Sequence, residues 1–227
     1  MVVSSAQAGE IVRSGPERVS LLELFTSEGC SSCPPAEDWM TGLRKHPELW
    51  KRFVPVAFHV DYWDYLGWKD GLAAASFSGR QSRYAASWGS GGVYTPGFVL
   101  NGKERRGQPL SALPKGDVGV LFVERQGDTY RITFEPAGEA GPYSVHAALL
   151  GFDVVTDVKS GENSGRRLVH DFTVMDFKEA VMAPGGERFE SSVELKASRA
   201  AGKLGIAVWL TREGSLEPLQ AAGAYLS

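Results

Sequence analysis

The sequence predicts an α/β domain followed by an antiparallel β domain, and three observations predict it. Near the start, an apolar run, a cysteine pair, a helix-like segment and a second apolar run follow one another. A further helical segment then leads to an Asn-Gly turn, and beyond about Gly107 the pattern becomes a succession of alternating strands. At 227 residues, 43% of them hydrophobic and 22% charged, the chain can bury a substantial core.

Residues 1–17 are expected as a disordered tail or a signal-peptide remnant. Ala6-Gln7-Ala8 has the small-x-small pattern of an export cleavage site, without a basic start or a full apolar core before it. "RVSLLELF" (18–25) reads as a buried strand. From Pro34 to about Trp50 the apolar residues Trp39, Met40, Leu43, Leu49 and Trp50 approach the helical period, with Pro34 and Pro35 confined to a first turn. "RFVPVAFHVDYW" (52–63) is a second strand, so strand, helix and strand make a βαβ unit with a parallel pair. Residues 73–88 read as helical, an insertion within the segment from Asp64 to Gly92. In "GFVLNGKERRG", Asn101-Gly102 suits a type I′ hairpin turn. The boundary falls near Pro114, giving domains 18–114 and 115–227. The second holds "VGVLFVER", "TYRITFEP", "YSVHAALLGF", "RRLVHDFTVMDF", "RFESSVEL" and "LGIAVWLTRE", short strands without helical crossovers, as in a β-sandwich.

A net charge of −3, from 24 basic and 27 acidic residues of interspersed sign, gives no electrostatic reason to expect nucleic acid or an anionic membrane as partner. No apolar run approaches the roughly 20 residues of a bilayer span. "SWGSGG" is neither a nucleophile elbow nor a phosphate loop.

Both cysteines lie in "GCSSCPP". A structural disulfide between Cys30 and Cys33 closes so short a loop that it removes little unfolded-state entropy. A structural zinc site needs about four Cys or His ligands, and a second pair is missing. Redox chemistry fits better. A CxxC between strand and helix places the first thiol at a helix N-terminus, where the dipole favours the thiolate, and the second thiol one turn on. Cys30 is then the exposed nucleophile and Cys33 the resolving partner. With a βαβ pattern this is a thioredoxin-like motif, and Thr95-Pro96, just before "GFVL", stands where such proteins hold a cis proline against the cysteines. Pro34 leaves two geometries: a helix starting near Pro34 with Cys33 as its cap, or a distorted first turn with Cys30 more exposed.

The blocks "LLELFTSEGCSSCPPAEDW", "FHVDYWDYLGWKD", "RQSRYA", "GVYTPGFVLNG" and "GENSGRRLVHDFTV" resemble the bacterial domain of unknown function 1223 family. The resemblance runs from about Val19 to the last strands. It implies a secreted, thioredoxin-like protein with a CxxC, and supplies no reaction.

The fold class expected is therefore a thioredoxin-like α/β N-terminal domain with a helical insertion, plus a C-terminal antiparallel β-sandwich-like domain. The function expected is thiol–disulfide exchange in the periplasm or outside the cell, with a protein or small-molecule thiol or disulfide as partner and without a bound cofactor. Cys30 and Cys33 carry the chemistry and Thr95 and Pro96 present the partner's backbone. His59, Asp61, Tyr62, Trp63 and Asp64 shape the rim, at the strand ends where ligands of parallel sheets bind. The plainer reading of those five residues is loop-orienting hydrogen bonds and core packing. Two alternatives stay open: a copper chaperone using Cys30, Cys33 and His59, and a non-catalytic binding module on the same scaffold. His46 is expected to cap the first helix, His146 and His170 to be structural, and Arg80, Arg83, Arg105 and Arg106 to form surface pairs.

Overall fold

The structure, a computed structural model, describes residues 9–107, 110, 113–138, 141–197 and 201–226. In chain order its first elements are β1 (Gly9–Arg13), β2 (Ser20–Thr26), α1 (Pro34–Gly42), β3 (Phe53–His59), α2 (Ala75–Ser87), β4 (Gly97–Leu100) and β5 (Lys103–Arg105). They are followed by β6 (Gly119–Gln126), β7 (Thr129–Pro136), β8 (Tyr143–Phe152), β9 (Val154–Asp157), β10 (Arg167–His170) and β11 (Thr173–Val181). The last are β12 (Ala183–Gly185), β13 (Arg188–Glu194), β14 (Lys203–Arg212) and β15 (Pro218–Tyr225). The Ala6-Gln7-Ala8 motif lies outside the described residues, whereas Gly9–Arg13, within the expected tail, pairs with β6.

The expected fold class is overturned. The chain is mostly sheet, 48% strand against 13% helix, and is not a thioredoxin-like α/β fold with a helical insertion beside a β-sandwich. One eight-stranded sheet, in the order β15-β14-β8-β11-β3-β2-β4-β5, draws strands from both sides of Pro114, and a five-stranded sheet, β1-β6-β7-β13-β12, accompanies it. The βαβ pattern is present, since β2 and β3 are parallel over their full length. What local pattern does not contain is the far edge of β3, which takes β11, again parallel, at Thr173 opposite Ala57.

Burial shows why β8 and β14 belong in the middle of a sheet. Along β8, Val145, Ala147 and Leu149 enter a core shared with Leu121, Ile132 and Phe134 of the five-stranded sheet, while Ala148, Leu150 and Phe152 enter the core containing β2 and β3. Successive side chains point to opposite faces, so a strand covered on both sides reads as a near-continuous apolar run. "HAALLGF" and "GIAVWL" are such runs.

Helix α2 lies where helix was expected, and the β4–β5 turn has Asn101 and Gly102 at φ 50° and 80°, as the Asn-Gly pair requires. Glu23 and Phe25 meet Arg80 and Tyr84 of α2, while Thr26 meets Glu37 of α1, so the two helices cover opposite faces of β2. Arg80 departs from its expected place on the surface. It is buried, its Nε donates to Glu23 Oε1 at 2.6 Å, and its guanidinium lies 5.2–5.7 Å from the ring centres of Phe58, Tyr84, Phe177 and Trp209. Tyr84 Oη donates to the other oxygen of Glu23. A charge in the middle of "LLELF" is tolerable only with such a partner. No helix among the described residues is long and apolar enough to cross a membrane.

Removing one member of a buried ion pair leaves the other charge uncompensated, at a cost of about 3–5 kcal/mol. Arg80→Met is expected to lose that much unfolding free energy in urea titrations. The Arg80→Met/Glu23→Leu pair should lose less than the two single losses added together. Additive losses would show that the pair is not coupled.

Candidate functional site

Cys30 and Cys33 are joined in a disulfide, with their Cα atoms 5.5 Å apart. They follow the carboxyl end of β2, where Thr26 stands in register with His59, the last residue of β3. The turn is held by Cys30 N–H donating to Ser27 O and Cys33 N–H donating to Cys30 O, both at 3.2 Å. Helix α1 starts at Pro34 with Cys33 as its N-cap. Proline suits that place because the first amides of a helix have no partner inside it. The next two amides, of Ala36 and Glu37, donate to the Cys33 carbonyl at 2.9 and 3.2 Å. The first turn of α1 therefore aims no spare N–H at the sulfurs.

Neither cysteine has exposed surface, at 0% each, so the expectation of an exposed Cys30 is corrected. The β9–β10 hairpin is the physical reason. From its tip, the buried Asn163 donates its side-chain N–H groups to the carbonyls of Glu28 at 2.8 Å and Cys30 at 3.0 Å. Glu162 accepts the Ser31 N–H at 3.0 Å, and Ser160 Oγ donates to Gly67 O at 2.6 Å. Arg166 steadies Asn163 through its side-chain oxygen at 2.9 Å. Ser31 and Ser32 stay exposed, and Ser32 Oγ is 3.3 Å from Cys30 Sγ.

Beneath the loop lies a buried polar cluster that sequence reasoning missed. His170, at the end of β10, donates through Nδ1 to Glu37 Oε2 at 2.5 Å, and Thr26 Oγ1 donates to Glu37 Oε1 at 2.5 Å. His170 Nε2 lies 3.2 Å from Glu28 Oε1 as an ion pair without hydrogen-bond geometry. Trp68 Nε1 donates to Glu28 Oε2 at 2.7 Å. His59 pairs through Nδ1 with Asp70 Oδ2 at 2.7 Å, and its ring meets that of His170 edge-on at 4.9 Å between centres. Burial opposes the His170 imidazolium, but the carboxylates of Glu28 and Glu37 on either side outweigh it and push the pKa up to about 10. Burial likewise opposes the Glu37 carboxylate, and His170, with help from His59 and Thr26, brings it below the usual carboxylate value.

The expected rim residues divide. His59 is buried in the cluster with its Nδ1 engaged by Asp70, and Cys30 and Cys33 are bonded to each other. Asp61, Tyr62, Trp63 and Asp64 are half-buried. Ser78 Oγ donates to Asp61 Oδ1, Tyr62 Oη donates to Gln81 Oε1 at 3.0 Å, and Asp64 Oδ1 accepts the Asp70 N–H at 3.1 Å. Trp63 Nε1 donates to Thr95 Oγ1 at 2.8 Å. Trp63 also packs on the cysteine loop: a Cβ at Gly29 would stand 3.0 Å from Trp63 Cβ, which is why glycine precedes Cys30. The Thr95-Pro96 bond is cis. Since Gly97 pairs with Phe25, that bond sits at the same end of β2 as the cysteines.

Glu28, Glu37, Asp70 and Asn163 were absent from the sequence reading, and His170 entered it only as a structural residue. Two carried a local signal: Glu37 falls one helical turn after Cys33, and "GENSGRRLVH" is an unusually polar connection between strands.

A family model described as protein of unknown function (DUF1223) matches residues 21–211. Curated proteins provide no match. Among solved structures, the crystal structure of protein AGR_C_4864 from Agrobacterium tumefaciens is similar with a TM-score of 0.65 at 28% identity, over 92% of this chain and 94% of that one. HBP35 of Porphyromonas gingivalis is similar with a TM-score of 0.61 at 15% identity, over 94% and 76%, a likeness of fold alone.

The raised pKa of His170 sets a pH dependence. An unfolded histidine titrates near about 6.5, so the pairing stabilises fully below that pH and its contribution is lost as pH rises through about 10. Unfolding free energy should fall over this window in the wild type, and the fall should be shallower in His170→Gln, which is also less stable at pH 6. Parallel pH profiles would show that His170 is neutral in the folded protein.

Proposed function

Since the chain belongs to the family described as protein of unknown function (DUF1223), its chemistry must come from its own residues, and we propose that it is a thiol–disulfide exchange protein working through Cys30 and Cys33. The observation that carries this reading is the disulfide's position: it caps α1 beyond the carboxyl ends of the parallel β2–β3 pair, beside the cis Thr95-Pro96 bond. In the reduced form, the Cys30 thiolate attacks a disulfide of the partner and expels one partner sulfur as a thiolate. Cys33 then displaces the second partner sulfur from Cys30, so two electrons pass to the partner and the Cys30–Cys33 bond re-forms. A dithiol donor returns the pair to its reduced state.

Cys30 is the attacking residue because its carbonyl and its neighbour Ser31 are what the hairpin tip holds, so lifting that tip uncovers Cys30 first. Cys33 remains under the helix start. Thr95, Pro96 and Trp63 form the flank against which an extended segment of a partner lies. A CxxC disulfide persists in an oxidising compartment, which favours an exported location.

The helix start also bears on direction. Spare amides at a helix N-terminus stabilise the thiolate and make a pair more oxidising. Here Pro34 and Pro35 have no N–H, and the amides of Ala36 and Glu37 are committed to the Cys33 carbonyl. This supports a pair on the reducing side.

Equilibration with glutathione or dithiothreitol should give a reduction potential nearer roughly −270 mV than roughly −120 mV. The wild type should accelerate insulin reduction by dithiothreitol, and Cys30→Ser should abolish the effect. A wild type no faster than the Cys30→Ser/Cys33→Ser variant would sink the proposal.

A further inference from the structure

One donor atom each from Glu37, His59 and His170 come within 4.8 Å of one another, and all three side chains are buried. Two imidazoles and a carboxylate are a donor set suited to divalent first-row transition ions, zinc among them. Hydrogen bonding inside the protein accounts for most of this cluster; His170 Nε2 and Glu28 Oε1 face each other as an ion pair, and one further atom has neither kind of partner. His59 Nδ1 is taken by Asp70, leaving Nε2 as the free donor, and that atom is buried without a hydrogen-bond partner. Asp70 is itself fixed by the backbone N–H groups of Glu28 at 2.9 Å and Leu72 at 2.8 Å. A carboxylate holding one nitrogen of an imidazole, so that the other is fixed in direction and tautomer, is the arrangement that orients metal-binding histidines.

Charge points the same way. Glu28, Glu37 and Asp70 set three carboxyl groups against the two imidazoles. With His59 Nε2 unprotonated, as coordination requires, the three carboxylates outweigh the His170 imidazolium by two charges, and a dipositive ion taken up as the Glu37–His170 proton leaves lowers that excess to one.

We propose that Glu37, His59 and His170 form a buried site for one divalent transition-metal ion of the zinc class, beneath the Cys30–Cys33 loop and independent of its sulfurs. Binding exchanges the Glu37–His170 hydrogen bond for two metal bonds and releases the shared proton to solvent. Thr26 continues to hold the other oxygen of Glu37.

Calorimetric titration of chelator-treated full chain with zinc chloride tests this. The wild type should bind one equivalent, and Cys30→Ser/Cys33→Ser should bind with unchanged affinity even though it is silent in exchange. Asp70→Asn should weaken binding by about 10–100-fold, and His59→Gln by at least as much, with folding checked by circular dichroism. Should those variants fail to fold, cobalt(II) added to the wild type decides the matter: visible d–d absorption without a thiolate-to-metal charge-transfer band supports the site. No saturable binding by the wild type, binding lost with the cysteines, or a thiolate band would overturn it, as would a folded His59→Gln variant with wild-type affinity.

Discussion

The parallel contact between β3 and β11 is the constraint on which the site depends. It is short, with Thr173 opposite Ala57 and the Ala57 N–H donating to Phe172 O at 2.8 Å. His170 and Asp171 immediately precede that contact, and the β9–β10 hairpin leads into it. Fixing the start of β11 beside β3 therefore brings His170 between Glu28 and Glu37, and sets Asp171 against Arg44 at 2.9 Å. The hairpin tip is thereby laid over the cysteine loop. A buried carboxylate without its partner would be costly, so the acids of the first hundred residues and the histidine of the later strand stabilise only together.

The same contact explains how a disulfide next to two exposed serines can itself be fully buried. Three hydrogen bonds join the hairpin tip to the cysteine loop, two given by Asn163 and one accepted by Glu162, while Ser160 ties the tip to Gly67. At about 0.5–1.5 kcal/mol net for each, opening the tip costs less than unfolding a domain with the usual 5–15 kcal/mol. Local opening is thus a reasonable route to the sulfurs. On the function proposed above, the sequestered disulfide and the reactive one are two states of a single site, separated by the motion of one hairpin.

Local chemistry was legible in the sequence where it depended on neighbours along the chain. "GCSSCPP" indicated a helix starting at Pro34 with Cys33 as a cap, Asn101-Gly102 indicated the hairpin, and the segment around Phe77 and Tyr84 indicated α2. The fold class was not legible. Most expected strands form, but "RRLVHDFTVMDF" divides at Asp171-Phe172 into β10 and β11 of different sheets, and β1, β9, β12 and β15 were not foreseen. Strand pairing across more than a hundred residues leaves no periodic trace, and the pairing of β11 with β3 decides the architecture. The long apolar runs of β8 and β14 were the one visible hint, because a sandwich strand with a solvated face should alternate. In the site, Cys30, Cys33 and Pro96 were marked by motif, whereas Glu28, Asp70, Asn163 and His170 are single polar residues in separate segments. Glu23 shows what could have been read: a carboxylate inside "LLELF" implies a buried cation, and Arg80 supplies it.

On the proposed function the disulfide exchanges only when the β9–β10 tip lifts from it, and the rate at which dithiothreitol reduces that bond measures this directly. In Asn163→Ala, loss of two hydrogen bonds of about 1 kcal/mol each should raise the open population and the reduction rate by roughly tenfold or more, while circular dichroism stays native. A natively folded variant reduced at the wild-type rate would contradict the account.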